Sequence, residues 1–213
     1  MFVALFIIIN VVSQKIVPIW GGIILTAGDF IYPLTYVLSM ILVEVYGYAM
    51  SRRVIWMAFI CNIVVALVIG FSVFLPGAQT WIHQEQYALI LGRAPRLLMA
   101  SLSAFLVGEF MGAYVLAKIK VLTSGKHLWF RAIMTILIGQ GIDSVVFTII
   151  AFAGILSWQN VVILSISAYL CKIIYQALLT PGIYIFARFL KKREQVDIFD
   201  NNTNFNPFNL GLK

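Results

Sequence analysis

The segment from Arg131 to Phe152, RAIMTILIGQGIDSVVFTIIAF, constrains the fold of this chain most. It is long and apolar enough to cross a lipid bilayer as one helix, since about 20 apolar residues span the hydrocarbon core. Near its middle it nevertheless carries Asp143, with Gln140 and Ser144 close by in the sequence. An aspartate at that depth costs about 2.5–3.5 kcal/mol on insertion scales, so we expect it to face a cavity or a partner.

Polar and small residues recur along one side of this segment at helical spacing. Arg131, Thr135, Gly139 and Asp143 form a stripe, and Phe147 follows one turn later. Two interpretations fit the stripe: a surface that faces a ligand, or a buried polar set that holds helices together. We favour the ligand-facing interpretation for Asp143.

The composition of the chain excludes a soluble domain. Of its 213 residues, 62% are hydrophobic and 11% are charged, whereas soluble domains carry about 25% charged residues. The apolar runs show no alternation of the kind that transmembrane β-barrels require. The chain is therefore predicted to be an all-α polytopic membrane protein. Its net charge of +7 does not indicate nucleic-acid binding, because the basic residues cluster between apolar spans, where they set the topology.

The hydropathy pattern predicts six transmembrane helices in one bundle, which occupies residues 1–190, followed by a polar tail at residues 191–213. The six spans lie at about 1–14, 29–50, 54–75, 96–118, 131–154 and 160–189. The first is short for a crossing, and its lack of a basic start and a cleavage site favours a span over a signal peptide. The following segment, SQKIVPIWGGIILTAGD, is interrupted by Pro and Gly. Two alternatives fit it equally well: a re-entrant segment at membrane depth, or a loop outside the membrane.

Lysine and arginine residues follow predicted spans two, four and six, and few lie on the opposite side. The positive-inside rule then places both termini and the tail in the cytoplasm. The basic residues on the opposite side are Lys15, Arg93 and Arg96.

Two glutamates add to the polar residues inside the spans. Glu44 lies near the cytoplasmic end of its span, where an ion pair with Arg52 or Arg53 is at least as good an explanation as a ligand role. Glu109 lies in the middle of its span, and we expect its carboxylate to line the cavity. It stands beside a stripe of small residues that allows close helix packing, formed by Ala104, Gly108 and Gly112.

The sixth span carries a polar stripe of Lys172, Gln176 and Thr180 at spacings of four. A lysine at this depth needs a carboxylate partner, and Asp143 and Glu109 are both candidates. Two interpretations of a Lys172–carboxylate pair remain open: it only stabilises the bundle, or it is an ion pair that a substrate or a proton disrupts.

Motifs for catalysis are missing from the sequence. There is no phosphate-binding loop, no G-x-S-x-G motif and no spaced set of metal ligands, and His83 and His127 both lie in predicted loops. We therefore predict neither an enzyme nor a cofactor.

Several segments together resemble the queuosine precursor transporter family, also called the vitamin uptake transporter family. The pieces that carry the resemblance are E-x-Y-G, G-Q-x-I-D-S and an acidic E-x-x-D-x-x-D tail, within residues 32–53, 108–120, 128–152, 172–200 and 204–208. The resemblance implies a six-span inner-membrane protein that takes part in the salvage of 7-deazaguanine precursors of the tRNA nucleoside queuosine.

The family motif maps onto this chain with two departures. Met40 stands where the family often has aspartate, and Gly112 stands where it often has Asn or Asp, while Thr135 replaces a usual serine. The matching positions are Asn10, Lys15, Glu44, Tyr46, Gly47, Arg131, Gln140, Asp143, Ser144, Lys172 and Pro181.

The implied substrate is 7-cyano-7-deazaguanine, 7-aminomethyl-7-deazaguanine or queuine. A carboxylate can accept the two adjacent N–H donors of a guanine-like edge, and an aromatic side chain, Phe147, Tyr114 or Tyr175, would stack on the flat ring. The predicted substrate-binding residues are Asn10, Glu44, Glu109, Gln140, Asp143, Phe147, Lys172 and Tyr175. The residues with a predicted structural or coupling role are Lys15, Arg131, Thr135 and Ser144.

Three alternatives remain at this point. The chain would be the substrate-binding membrane subunit of an energy-coupling-factor system that needs an external ATPase, a transporter of another small heterocycle, or a scaffold that transports nothing. The sequence also leaves open a homodimer, an energising partner, and proton coupling as against facilitated diffusion. Its expected partners are the small-molecule substrate and the lipid bilayer, with no nucleic acid bound directly.

Overall fold

The computed structural model describes residues 1–12, 15–18, 24–92, 95–154 and 157–209, and these residues are largely helical, as predicted. Within the Pro/Gly-broken segment, Ile16–Pro18 and Ile24–Thr26 pair as a short antiparallel ladder. In chain order the elements are α1 (Phe2–Val12), β1 (Ile16–Pro18), β2 (Ile24–Thr26), a 3-10 turn (Ala27–Phe30), α2 (Tyr32–Phe74), α3 (Gln84–Leu91), α4 (Pro95–Leu122), α5 (Leu128–Phe152) and α6 (Trp158–Glu194).

Four of the described helices are long and apolar enough to cross a membrane, namely α2, α4, α5 and α6. This supports a multi-pass helical membrane protein, but it does not confirm the predicted count of six spans. The 11 residues of α1 rise only about 16 Å, roughly half of the hydrocarbon core. Predicted spans two and three are both helical and meet at Gly47, whose φ and ψ are not helical, so α2 consists of two helical segments joined at this residue.

The long helix α2 reverses its direction at Gly47. Before Gly47, α2 runs alongside α4. Ser39 donates a hydrogen bond to Glu109 of α4, and further along both helices the Glu44 carbonyl accepts one from Lys120. A straight helix would carry Trp56 about 18 Å beyond Glu44. Instead, its ring packs 5.9 Å from that of Phe110, ten positions back along α4. We call residues 32–46 the first limb and residues 48–74 the second limb.

Glycine is required at this reversal. Gly47 has φ 76° and ψ 176°, a region of backbone conformation that is essentially restricted to glycine. The second limb begins directly afterwards, and its first backbone N–H groups need acceptors. The carboxylate of Asp200 accepts the Tyr48 N–H at 3.0 and 3.1 Å. The tail therefore caps the second limb at the point where α2 turns.

The helices α4 and α5 pack most extensively against each other, and small residues make this possible. A Cβ atom at Gly108 would lie 2.9 Å from the Cβ atom of Asp143 and 3.2 Å from the carbonyl oxygen of Gly139. The close approach that the small-residue stripe predicts is thus made by α5. It brings the Asp143 backbone directly beside that of α4.

The polar tail begins after α6, at residue 195, and lies across one end of the bundle. This end, which we call the basic end, is where Lys120, Arg131 and Lys191 come together around Glu44. The tail also contacts the second limb, since Arg52 donates to backbone carbonyls in it.

Replacement of Gly47 by alanine tests the reversal. The change forces a strained backbone, which costs roughly 1–3 kcal/mol, and brings a Cβ atom within 3.0 Å of Ile198 and 3.1 Å of Asp200. We expect Gly47→Ala to lower the Tm of the purified protein in detergent by several degrees.

Gly70→Ala is the matched control, because it lies in the same helix with open space around it. Alanine is favoured over glycine inside a helix, so the control should leave the Tm unchanged or raise it. Equal Tm values for the two variants would contradict a strained reversal at Gly47.

Candidate functional site

Two buried carboxyl groups on neighbouring helices form the centre of the site. Glu109 on α4 is 3% exposed, and Asp143 on α5 is 6% exposed. They are neighbours because Gly108, next to Glu109 in the chain, contacts the backbone of Asp143. We call Glu109, Asp143 and the residues that contact them the central cluster.

The two carboxylates have different partners. The Lys172 ammonium of α6 donates to Asp143 Oδ2 at 2.5 Å, so Asp143 is the partner that the deep lysine requires. The same ammonium lies 5.2 Å from the centre of the Tyr32 ring, where a cation is attracted to the aromatic face. Glu109 accepts a hydrogen bond from the Ser39 hydroxyl of the first limb.

A small cavity of about 10 Å³ borders Glu109, which is room for about one water molecule. Met40, Gly112 and Thr135 all line it. The three positions at which the resemblance implies a difference from the family pattern therefore lie together, beside a carboxylate of the central cluster.

The hydroxyl group of Tyr36 occupies a notch between α4 and α5. A Cβ atom at Gly139 would lie 2.1 Å from this oxygen, and one at Gly112 would lie 3.2 Å from it. The Gln140 amide faces the hydroxyl groups of Tyr32 and Tyr36, but it makes no hydrogen bond of good geometry with a described residue.

Several buried polar atoms on the helical segments that carry the central cluster have no hydrogen-bond partner among the described residues, and the same is true of Glu44 Oε2 and Arg131 Nε at the basic end. This is unusual, because the great majority of buried polar groups are bonded. The atoms on the segments of the central cluster include donors as well as acceptors, so together they could bind a polar ligand. They are Tyr36 Oη, Thr135 Oγ1, Gln140 Oε1 and Nε2, Ser144 Oγ, and Gln176 Oε1 and Nε2.

Other predicted binding residues lie elsewhere or face other partners. Asn10 donates to Asn62 Oδ1 at 2.6 Å, a hydrogen bond that joins α1 to α2. The Phe147 ring, one turn after Asp143, packs 6.2 Å from that of Phe152. Lys15 is exposed at the start of the β1–β2 ladder. The side chain of Tyr175 lies outside the described part of the chain.

Glu44 belongs to an ion network at the basic end. Its carboxylate accepts from Arg131 at 2.8 Å and from Lys191 at 2.6 Å. The prediction that Glu44 pairs with Arg52 or Arg53 was wrong, because the reversal at Gly47 turns the second limb, which carries both arginines, towards the tail. There Arg52 donates to the backbone carbonyls of residues 204 and 206.

The sequence reasoning missed the contribution of the first limb. Tyr32, Tyr36 and Ser39 stand at i, i+4 and i+7, on one face of a helix, and all three meet the central cluster. The spacing was visible in the sequence. Tyrosine and serine in an apolar run, however, do not by themselves distinguish a site from ordinary packing. Tyr114, expected as a stacking surface, instead packs against Phe205 of the tail.

A multi-pass helical bundle with a buried polar cluster between its helices is an architecture that membrane transporters use. The comparisons with known proteins agree. The family model described as "Putative vitamin uptake transporter" matches residues 26–186, so the chain belongs to this family, as its motifs predicted. It is a transporter and not an enzyme.

One curated relative gives a narrower description. The "Probable queuosine precursor transporter" of Bacillus subtilis (strain 168) is 27% identical over 175 residues, which cover 82% of this chain and 76% of the relative. No solved structure matches.

The Lys172–Asp143 pair allows a test of its two interpretations. Lys172→Met leaves a buried aspartate without its cation. We expect a loss of about 1–3 kcal/mol, less than for a fully buried pair because a quarter of the lysine side chain is exposed. The double variant Lys172→Met/Asp143→Asn removes both charges and should recover most of the lost Tm.

Transport by the double variant then separates the interpretations. A purely structural pair predicts a stable and active double variant. A ligand role for Asp143 predicts a stable protein with at least tenfold slower uptake, and normal uptake by this variant would exclude that role.

The notch at Gly139 generates a second prediction. Gly139→Ala drives a methyl group into the Tyr36 hydroxyl, and overpacking of this kind typically costs about 1–3 kcal/mol. Addition of Tyr36→Phe removes the oxygen and should restore part of the Tm. If Tyr36→Phe restores none of it, the hydroxyl does not occupy the notch.

Proposed function

We propose that this chain imports 7-deazaguanine precursors of queuosine across a bacterial inner membrane, and that the central cluster binds them. The observation that carries the proposal is the set of buried, unpartnered polar atoms beside two buried carboxyl groups. The printed description of the Bacillus relative supports the substrate class. The candidates remain 7-cyano-7-deazaguanine, 7-aminomethyl-7-deazaguanine and queuine.

The chemistry of a 7-deazaguanine matches the central cluster. Its adjacent N1–H and N2–H groups are donors that a carboxylate, Glu109 or Asp143, would accept as a pair. The amide of Gln140 offers both a donor and an acceptor, and Tyr32 and Tyr36 supply aromatic rings next to it. A base without these donors would leave a buried acceptor unpaired, which costs about 1–3 kcal/mol and gives discrimination without catalysis.

The described conformation is closed around this site. The cavity of about 10 Å³ holds a water molecule but not a bicyclic heterocycle. Substrate entry therefore requires the first limb, α4 and α5 to separate. The short contacts of Ser39 with Glu109 and of Lys172 with Asp143 are the ones that entry would break.

The two limbs of α2 would each cross the membrane once. The limbs, residues 32–46 and 48–74, rise about 22 Å and 40 Å in opposite directions. With α4, α5 and α6 they make five crossings, and the sixth that the resemblance implies would have to involve α1, which by itself rises only about 16 Å. The positive-inside rule then places the basic end, with the tail, in the cytoplasm.

The first test is uptake in a bacterial host that neither makes queuosine nor has its own precursor transporter. The readout is queuosine in tRNA after addition of each precursor. We expect the wild type to restore it and both Asp143→Asn and Glu109→Gln to reduce it at least tenfold. Glu85→Gln is the matched control, because this carboxylate is exposed in α3.

Each outcome has a clear consequence. Restoration by both Asp143→Asn and Glu109→Gln would exclude the central cluster as the site. No restoration by well-expressed wild type would exclude this substrate class for the chain acting alone. Uptake by the purified chain in proteoliposomes would exclude the need for an external ATPase.

A further inference from the structure

The C-terminal tail is bound to the basic end far more tightly than a solvated extension would be. Lys120 uses its ammonium group to hold it, donating to the Glu44 carbonyl at 2.5 Å, to Asp197 Oδ1 at 2.6 Å and to the Ile198 carbonyl at 2.7 Å. These are three donors, the full capacity of an ammonium group. The side chain of Lys120 is fully buried.

The tail also closes over the reversal of α2. The Ile198 N–H donates to the Val45 carbonyl at 3.1 Å, just before Gly47, and the Asp200 carboxylate accepts the Tyr48 N–H just after it. Both backbone groups lie where the helical ladder is interrupted. The tail thus replaces the hydrogen bonds that α2 loses at its turn.

Further along, the tail binds the second limb. Arg52, which is buried, donates to the backbone carbonyls of Asn204 and Asn206 at 2.6 and 2.8 Å. The Trp56 indole N–H donates to the Pro207 carbonyl at 2.8 Å. The acceptors are all main-chain carbonyls, so this recognition depends on the course of the tail more than on its side chains.

Charged contacts extend the same attachment to α5 and α6. Lys191 bridges Asp197 and Glu44, and Glu44 also binds Arg131. One connected network therefore joins the first limb, α4, α5, α6 and the tail. These four helical segments are the ones that supply Ser39, Glu109, Asp143 and Lys172 to the central cluster.

We propose that residues 196–208 form a latch that closes the basic end and must release in each transport cycle. The inference rests on the proposed transport function. Alternating access requires the bundle to open at one end at a time. While the latch is bound, the four segments cannot separate at the basic end. The path from the central cluster to that side is then shut.

Asp197 is the position at which release begins. Its side chain is 43% exposed, whereas those of Lys120 and Glu44 are buried. Burial alone would raise the pKa of Asp197, but the hydrogen bonds from Lys120 and Lys191 outweigh it and lower the pKa. Its stabilising charge is present above the unfolded pKa of about 3.9 and lost only as the pH falls through the lower folded pKa. Acidification to pH 5 therefore leaves the charge of Asp197, and its contacts with Lys120 and Lys191, in place.

Covalent closure tests the latch. The rings of Tyr114 on α4 and Phe205 in the tail lie 5.2 Å apart. In a chain with Cys61→Ser and Cys171→Ser, a short bismaleimide would join Tyr114→Cys to Phe205→Cys. We expect the link to slow uptake in proteoliposomes at least tenfold without abolishing the thermal stabilisation by bound substrate.

The two single-cysteine variants, treated with the same reagent, are the matched controls and should keep their uptake. Equal uptake with and without the link would overturn the latch. A failure of the proposed function would look different, because the unlinked protein would then transport no 7-deazaguanine at all.

A second measurement does not depend on the substrate. Ser51, buried one turn beyond Gly47 with its hydroxyl bonded to the Gly47 carbonyl, is replaced by cysteine in the same background. We expect Asp197→Asn and Asp200→Asn to speed its labelling by a membrane-impermeant maleimide at least tenfold, whereas Asn202→Ala, at an exposed tail position, should not. Equal labelling rates in all of them would also overturn the latch.

Discussion

The close contact between α4 and α5 is the constraint on which the rest of the structure depends. It exists because Gly108 and Gly139 have no side chains to separate the two backbones. The contact places Asp143 against α4, beside Glu109, and it leaves the notch in which the Tyr36 hydroxyl lies. Larger residues at these positions would move the two carboxyl groups apart and fill the space that the first limb occupies.

Charge is arranged at two levels of the bundle. In the central cluster, Asp143 is paired with an ammonium group and Glu109 accepts a hydrogen bond from a serine hydroxyl. Several polar atoms on the same helical segments have no partner among the described residues. At the basic end Glu44 and Asp197 are shared among three cations, although Glu44 Oε2 and Arg131 Nε have no partner in the part of the chain that the structure describes. The two levels therefore differ in their ion pairs: among the described residues the central cluster has one and the basic end has four. The first limb links the two levels, because it runs from the central cluster to the basic end, where the chain reverses at Gly47.

The polar residues of the site were predictable one at a time but not as contacts. The depth of Asp143 and Lys172 in apolar runs implied that each needs a partner, and sequence reasoning named Asp143 as one of two candidates for Lys172. The choice between Asp143 and Glu109 depends on how far α6 is rotated and shifted along α5, which no local pattern encodes. The partners of Glu44 were wrong for a related reason. Arg52 and Arg53 are near in sequence, but the chain turns at Gly47 and carries Arg52 to the tail.

The sequence by itself determined that this is a helical membrane protein of the vitamin uptake transporter family, with acidic and basic residues inside its apolar spans. Those properties follow from composition, run length and short motifs, which are local. Only the tertiary structure decided which charges meet, that the two helical segments of α2 double back at a single glycine, and that the polar tail is bound to the basic end. These contacts join residues as far apart as Tyr48 and Asp200. They form because helix packing brings buried donors and acceptors together, where each must find a partner.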